Sequence, residues 1–354
     1  MILPLPSLRY PVVAAPMAGG PTTPALVAAV SEAGGLGVLA AGYKTPAEVA
    51  DEIAAVRDRT AAPFGVNVFL PGPVPDPEAV AGYARRLAPE ADRRGVTLGE
   101  PVGGDDGWAA KVDLLVAERV PVVSFAFGLP VTGTVGALHD AGAAVLVTVT
   151  TPDEAVAAAA TGADALVVQG FEAGAHRGGP ADLDGVGELG LLALLRLVAR
   201  VTPLPLVAAG GIADGPAVAA VLAAGATLAQ LGTAFLRCPE AGTAALHRAA
   251  LAAPGDTVLT RAFTGRRARA LVTPFVTEHS AAAPAAYPHV HQLTAPLRAA
   301  ARAAGDPDGV NLWAGQAHEL AAELPAAELV ERLGTDARAA LTAALARLSA
   351  DPGI

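Results

Sequence analysis

The sequence is poor in cysteine, in aromatic residues and in charge. Its 354 residues contain a single cysteine, Cys238, so no disulfide can form within the chain and no CxxC metal-binding pair is present. Aromatic residues make up 4% and charged residues 16%, whereas hydrophobic residues make up 53%. Much of that apolar content is alanine, which favours helices. Such a chain can build a large core and is not disordered.

The sequence also lacks an excess of positive charge and a long apolar segment. The net charge of −10 argues against binding to nucleic acid or to an anionic membrane surface. No stretch reaches the roughly 18 to 20 uninterrupted apolar residues that a membrane-spanning helix needs. Residues 1–16 show no basic segment followed by an apolar one, so we expect no signal peptide and a cytoplasmic location.

Short apolar runs recur along the chain, and each is followed by an amphipathic or alanine-rich stretch. The runs are unbroken rather than alternating, which is typical of strands buried on both faces of a parallel sheet. We predict strands at 12–15, 36–40, 64–69, 121–127, 143–150, 163–169, 204–209 and 227–231.

The stretches between these runs carry the signals of helices. Several have proline near the start, and four end in an Ala-Gly or Thr-Gly pair before the next strand. We predict helices at 24–33, 46–59, 131–140, 152–161, 188–200, 216–224 and 240–252. The repeated strand–helix unit predicts a closed (β/α)₈ TIM barrel, with a doubly wound open sheet as the alternative.

Two regions exceed a minimal barrel. We expect residues 1–255 to form the barrel, with a helical insertion after the third strand at about 71–119. Residues 256–354 consist of predicted loops and helices, and we expect this C-terminal extension to pack over the barrel mouth.

Glycine is concentrated where such a barrel places its active site, after the C-terminal ends of the strands. Gly210 and Gly211 follow the seventh strand, and Gly232 and Thr233 end the eighth. Glycine lets backbone N–H groups approach a ligand closely, so we predict a phosphate site here. The alternative is that the glycine pair only turns the chain.

Three polar side chains stand out at the same end of the predicted barrel. Asn67 and Gln169 end their strands and offer both a donor and an acceptor, although each could instead satisfy loop backbone. His176 lies in a glycine-rich loop beside Arg177 and is the one strong candidate for a catalytic acid or base. A loop histidine without a role is the alternative.

Several segments together resemble the nitronate monooxygenases. They lie at 15–20, 42–46, 64–69, 174–178, 209–212, 230–236, 260–265 and 313–316, in order, within a match from about residue 11 to residue 320. The chain is most similar to the bacterial branch that acts on propionate 3-nitronate and related alkyl nitronates.

The resemblance implies an FMN-dependent enzyme that uses O₂ to convert a nitronate into nitrite and a carbonyl compound. His176 would be catalytic and would remove the α-proton where a neutral nitroalkane is accepted. Together with the phosphate argument, it implies cofactor contacts from Pro16, Met17, Ala18, Asn67, Gln169, Gly174, Gly210, Gly211, Gln230, Leu231, Gly232, Thr233, Gly315 and Gln316.

A small anionic nitronate needs hydrogen-bond donors more than a strong base. The available groups besides His176 are Lys44, Arg177, Tyr287 and His291, which we take as candidate substrate residues. Tyr287 and His291 would share one face if their segment is helical; surface positions on a tail helix are the alternative. We predict no metal site.

The sequence departs from the family pattern at two places. Ala126 stands where the segment Ser-Phe-His-Phe-Gly often carries a histidine, so the site lacks one polar group. Ala175 stands where a second glycine is frequent, which is tolerable unless that backbone needs a positive φ.

Three other functions remain open from the sequence. A flavin-dependent enoyl-acyl-carrier-protein reductase, which oxidises NAD(P)H, shares the barrel and much of the His176 loop. A non-catalytic flavin-binding barrel would keep the phosphate loops without needing His176. A barrel that binds a sugar phosphate instead of FMN would be colourless. The sequence does not fix the oligomeric state.

Overall fold

The computed structural model describes residues 5–349, and within them the eight predicted strands form a closed parallel barrel. Adjacent strands along the chain pair with one another, and the last barrel strand pairs with the first. The barrel strands are β1 (Val12–Ala14), β2 (Leu36–Ala40), β3 (Gly65–Phe69), β4 (Val122–Ala126), β5 (Ala144–Val149), β6 (Ala165–Gln169), β8 (Leu206–Ala209) and β9 (Leu228–Leu231), with the two-residue β7 (Ala175–His176) outside the barrel. The prediction of a (β/α)₈ barrel is confirmed, and the open sheet is excluded.

Each predicted helix is present, several of them shorter than expected. The helices up to the end of the last barrel strand are α1 (Pro24–Glu32), α2 (Pro46–Arg57), α3 (Pro77–Arg94), α4 (Trp108–Ala117), α5 (Thr132–Asp140), α6 (Pro152–Ala160), α7 (Leu191–Val198) and α8 (Gly215–Ala223). Thr45 and Thr151 form capping boxes that fix the starts of α2 and α6. The helix predicted at 240–252 is reduced to α9 (Ala245–Leu251).

The insertion after β3 contains two helices, of which one packs in the ring around the barrel and the other packs against the C-terminal region. Helix α4 packs against α2 and α5, so it belongs to the ring of helices around the strands. Helix α3 instead packs against α11 (His289–Ala303), which lies in the C-terminal region.

The C-terminal region divides between the barrel mouth and the barrel side. The remaining elements are β10 (Thr257–Thr260), β11 (Ala268–Leu271), α10 (Pro274–His279) and α12 (Ala326–Ser349). Strands β10, β11 and β7 form a small antiparallel sheet at the mouth. Helix α12 packs against α8 and α1, in the place of a helix following the last barrel strand. The division at residue 255 stays a prediction.

The core follows from the apolar runs that predicted the strands. Valine, leucine and alanine side chains of the barrel strands are buried on both faces, as the unbroken patterns require. Among residues 5–349, no helix is both long and apolar enough to cross a membrane. The same residues contain no group of three or more His, Cys, Asp or Glu side chains placed to hold a metal ion.

Candidate active site

A cavity of about 440 Å³ opens at the C-terminal ends of the barrel strands. This volume is in the range of small-molecule and cofactor sites. The predicted cofactor residues line it, with two exceptions. Leu231 is buried in the barrel core, and Gln316 faces away while its backbone N–H donates to the carbonyl of Glu172. The cavity thus brings together most of the predicted cofactor residues at the mouth of the barrel.

Backbone groups after β8 and β9 form a cradle at one end of this cavity. Gly210 and Gly211 have φ values of 112° and 68°, in the left-handed region that favours glycine. A Cβ atom on Gly174 would lie 2.5 Å from the backbone nitrogen of Gly315, so that position has no room for a side chain. The N–H groups of Gly211 and Thr233 donate no hydrogen bond within the described part of the chain. Free N–H groups beside glycines suit a phosphate.

The two predicted amide side chains use their groups differently. Gln169 donates to the carbonyl of His176 and accepts the N–H of Gly178, at 3.1 and 2.8 Å, so it mainly holds the loop. Asn67 donates to Ser124 through Nδ2, at 2.9 Å to the hydroxyl, and this leaves Oδ1 without a partner within residues 5–349. Both residues line the cavity. Of these two side chains, Asn67 is therefore the one whose amide oxygen, Oδ1, is available to a bound molecule.

His176 is held in the cavity wall by the C-terminal region. Its strand, β7, pairs with β11 so that His176 lies opposite Ala268. The imidazole is surrounded by the rings of Phe127, Tyr287 and Trp313, with centroids 5.5 to 5.7 Å away. These rings pack around part of the imidazole, which is half-buried at the edge of the cavity.

Burial makes His176 a neutral group. Desolvation is the main cause that lowers its pKa to about 3, and the positive charges of Arg266 and Arg298 lower it further. At neutral pH its imidazole carries no charge and keeps one basic nitrogen.

Arg177 and Lys44, two of the predicted substrate residues, lie outside the cavity. The Arg177 guanidinium is buried and donates to the carbonyls of Gly170, Gln169 and Gly187, at 2.6 to 3.1 Å. Lys44 forms an ion pair with Glu52 at 2.6 Å. Their geometry is therefore that of residues that hold loops and helices rather than a substrate.

Tyr287 and His291 do come together at the cavity. His291 lies in the first turn of α11 and lines the cavity, whereas Tyr287 precedes that helix and contacts His176. The His291 ring stacks on Tyr43 with a centroid distance of 4.2 Å and an interplanar angle of 2°. Burial, with the charge of Arg298, lowers the pKa of His291 to about 3. Burial also raises the pKa of Tyr287 well above its usual value.

Two arginines near the cavity were not predicted from the sequence. Arg266 and Arg298 are buried, and neither forms an ion pair within residues 5–349. The Arg266 guanidinium lies over the Phe127 ring at 4.1 Å and donates to the carbonyls of Arg177 and Gly179. Arg298 donates to His291 and Thr294. The only sequence signal was the arginine pair after Gly265.

Strained backbone also marks this cavity. Tyr43, Phe127 and Ala175 have φ values of 68°, 72° and 59°, and all three line it. Such conformations are rare for residues with a side chain and cluster at functional sites. Ala175 therefore does adopt the positive φ under which its side chain is strained.

A family comparison agrees with this geometry. The family model for nitronate monooxygenase matches residues 5–336 of the chain. The chain belongs to the nitronate monooxygenase family. Its enzymes are flavin-dependent oxidoreductases, so this chain is an enzyme of that class. The resemblance inferred from the sequence motifs is confirmed.

Individual proteins are similar to this nitronate monooxygenase family member over nearly its whole length. A nitronate monooxygenase from Pseudomonas aeruginosa is 42% identical over 346 residues, covering 94% of this chain and 97% of that protein. A solved nitroalkane oxidase from Streptomyces ansochromogenes is 53% identical with a TM-score of 0.93, over 96% of this chain and 98% of the other. FabK from Thermotoga maritima is 28% identical with a TM-score of 0.75, over 96% of both chains.

The cavity also fits the flavin that the family uses. Gly174, Gly210 and Gly211 pack so closely on neighbouring residues that an added Cβ atom would lie 2.5, 3.1 and 3.0 Å from protein atoms, and the N–H groups of Gly211 and Thr233 donate no hydrogen bond within the described residues. Met17 and the free Asn67 oxygen line the adjoining part of the cavity. A phosphate at the cradle and a ring system beside His176 can therefore be accommodated together.

Proposed function

We propose that this enzyme uses non-covalently bound FMN and O₂ to oxidise alkyl nitronates of the propionate 3-nitronate type, releasing nitrite and a carbonyl compound. One observation carries the proposal. A glycine cradle with free N–H groups and a neutral histidine share a cavity flanked by two buried arginines, neither of which forms an ion pair within residues 5–349. Together they suit a flavin phosphate and a small anion.

Different residues of this chain would bind different parts of FMN. The N–H groups of Gly211 and Thr233 would hold the FMN phosphate, and Asn67 Oδ1 would accept a hydrogen bond from the flavin. Bound FMN supplies the electron transfer to oxygen that no protein side chain can perform. Pro16, Met17 and Ala18, on the loop after β1, would lie along the cofactor.

The substrate would meet a positive but desolvated pocket. Arg266 and Arg298 are buried, so their attraction for an anion is little screened by water. The rings of Phe127, Tyr287 and Trp313 pack around His176 and would limit the water beside a bound substrate. Because a nitronate is already an anion, it needs no base to enter the reaction. His176 would be needed as a base only for a neutral nitroalkane.

An NAD(P)H-oxidising reductase, the alternative that the sequence left open, is the second candidate. Nitrite release and oxygen uptake with propionate 3-nitronate, compared with NADH oxidation, separate the two functions. The proposal expects a yellow protein that releases FMN on denaturation and forms nitrite from the nitronate. A protein that oxidises NADH rapidly and forms no nitrite contradicts it.

The role of His176 is tested by the variant His176→Asn. With a neutral nitroalkane we expect its kcat/KM to fall by about 10²-fold or more, the size typical of a lost acid–base group. His139→Asn is the matched control, because His139 pairs with Asp164 away from the cavity. An unchanged kcat/KM of His176→Asn with the nitroalkane would contradict the assignment of His176 as the base, and a protein inactive with every nitronate and nitroalkane would support a non-catalytic flavin barrel.

A further inference from the structure

Two cavity-lining histidines each have one ring nitrogen fixed by a neighbouring side chain. His176 Nε2 lies 3.0 Å from the hydroxyl of Thr264, and His291 Nδ1 lies 3.3 Å from a guanidinium nitrogen of Arg298. The other nitrogen of each ring forms no hydrogen bond within residues 5–349, and both residues line the cavity. Each histidine therefore presents one defined nitrogen to a bound molecule.

The surroundings of Thr264 define which nitrogen of His176 carries the proton. The Thr264 hydroxyl is buried and lies 3.2 Å from the carbonyl oxygen of Arg266, which can only accept a hydrogen bond. A hydroxyl has a single proton, so once it donates to that carbonyl it can only accept from His176. The proton then sits on His176 Nε2. The nitrogen left for the cavity, Nδ1, has a free lone pair.

The surroundings of His291 leave a protonated nitrogen facing the cavity, whereas those of His176 leave an unprotonated one. A guanidinium only donates, so His291 Nδ1 accepts from Arg298 and the proton sits on Nε2. Arg298 also donates to the carbonyl of His291 and to Thr294, at 2.7 and 3.2 Å, which fixes the guanidinium. Stacking on Tyr43 fixes the plane of the ring. His291 therefore presents an N–H group to the cavity.

We propose that Thr264 and Arg298 are positioning residues that make His176 a proton acceptor and His291 a hydrogen-bond donor toward one bound nitroalkane. The α C–H bond of the substrate breaks, and its electron pair forms the carbon–nitrogen double bond of the nitronate. The proton moves to His176 Nδ1. The negative charge that appears on the nitro oxygens is stabilised by the N–H of His291. This step rests on the proposed function and concerns its neutral substrates.

The first test measures protonation directly and is independent of activity. Long-range ¹H–¹⁵N correlation spectra of the flavin-loaded protein distinguish the protonated from the unprotonated nitrogen of each histidine. We expect both His176 and His291 to carry the proton on Nε2. In Thr264→Val the preference at His176 should be lost, while His291 stays unchanged. A proton on Nδ1 of His176 in the unsubstituted protein overturns the proposal.

The second test separates a positioning role from a structural one. Thr264→Val keeps the side-chain shape but removes the acceptor, so kcat/KM for nitroethane should fall by about 10-fold or more. With propionate 3-nitronate, which needs no deprotonation, kcat/KM should change by less than about 2-fold, because no acid–base group is then lost. Thr264→Ser, which restores the hydroxyl, should recover the activity with nitroethane.

The outcomes of the second test distinguish this inference from the proposed function. Equal losses with both substrates assign Thr264 a structural role and overturn the inference. Full activity of Thr264→Val with nitroethane overturns it as well. If the unsubstituted enzyme forms no nitrite from the nitronate, the proposed function fails, whereas the protonation pattern of the two histidines is still decided by the spectra.

Discussion

At the level of single residues, the cavity is lined by three residues whose backbone adopts an unfavourable left-handed conformation. Ala175, next to His176, has a φ of 59°, and a left-handed conformation costs about 1 to 2 kcal/mol for a residue with a Cβ atom. Two further left-handed residues, Tyr43 and Phe127, also line the cavity. The strain is therefore concentrated where ligands are expected to bind.

The strain at Ala175 can be relieved by glycine. We expect Ala175→Gly to raise the free energy of unfolding by about 0.5 to 1 kcal/mol, because the relieved strain exceeds the added flexibility of the unfolded chain. Urea unfolding at equal flavin occupancy measures this. The control is Ala137→Gly, in the exposed interior of α5, which should lower the unfolding free energy by about 1 kcal/mol. A loss of stability in Ala175→Gly would refute the strain argument.

The buried charge of Arg298, which has no ion-pair partner among residues 5–349, gives a second prediction at this scale. In Arg298→Gln the cavity loses a buried positive charge, so kcat/KM for an anionic nitronate should fall by about 10-fold or more, corresponding to at least about 1.4 kcal/mol. Arg200→Gln, at an exposed position after α7, should leave it unchanged. Nitrite release measured at varied nitronate concentration gives kcat/KM for each of the two variants. Equal values for the two variants argue against recognition of the anion by Arg298.

Sequence reasoning reached some of these residues and not others. His176 and the glycines after β8 could be predicted because their signal is local: residue type and position after a strand. The hydrogen bonds of the Arg177 guanidinium to three loop carbonyls could not, since they depend on how the loop folds back on itself. Arg298 lies more than 100 residues from His176, and only the packing of α11 brings it to the cavity.

At the scale of elements, the last helix completes the barrel. Helix α12 packs against α8 and α1, and its glycine Gly334 lies against the ring of Tyr10. A Cβ atom on Gly334 would come within 2.1 Å of a ring carbon of Tyr10. The sequence could predict the barrel strands from their unbroken apolar runs, and the helices from the proline residues near their starts and the glycines after their ends. It could not predict the pairing of β11 with β7 or the docking site of α12, which join distant segments.

The close approach of α12 gives a prediction about glycine. Gly334→Ala should lower the free energy of unfolding by about 1 to 3 kcal/mol, because overpacking outweighs the higher helix propensity of alanine. Gly136→Ala in α5 is the matched control, since a Cβ atom there meets nothing within 4 Å. That variant should gain up to about 1 kcal/mol. Thermal unfolding of both proteins measures the difference, and a more stable Gly334→Ala contradicts the tight docking.

At the scale of the whole molecule, buried neutral histidines link stability to pH. Burial lowers the pKa of His176 and His291 to about 3 and that of His247 to about 4, from 6.5 for an exposed histidine. Between these values and pH 6.5 the unfolded chain binds more protons than the folded one. The free energy of unfolding therefore falls as the pH drops below 6.5, and it no longer changes with these groups above that pH.

We therefore expect Tm to be lower at pH 5 than at pH 7.5, by an amount that depends on these histidines. Each can contribute up to about 2 kcal/mol at pH 5, since one pKa unit corresponds to about 1.4 kcal/mol. His247→Gln can keep the hydrogen bond to the Trp313 carbonyl but removes one titrating group. Its Tm should change less between the two pH values than that of the unsubstituted protein. An equal or larger change contradicts the linkage.

Under the proposed function, FMN bound in the cavity at the barrel mouth would accept electrons from a nitronate. The most direct measurement mixes the purified yellow protein anaerobically with propionate 3-nitronate or with NADH and follows the flavin absorbance. We predict that the nitronate bleaches the flavin, that NADH does not, and that admitting O₂ restores the colour with release of nitrite. Rapid bleaching by NADH together with no response to the nitronate would contradict the account.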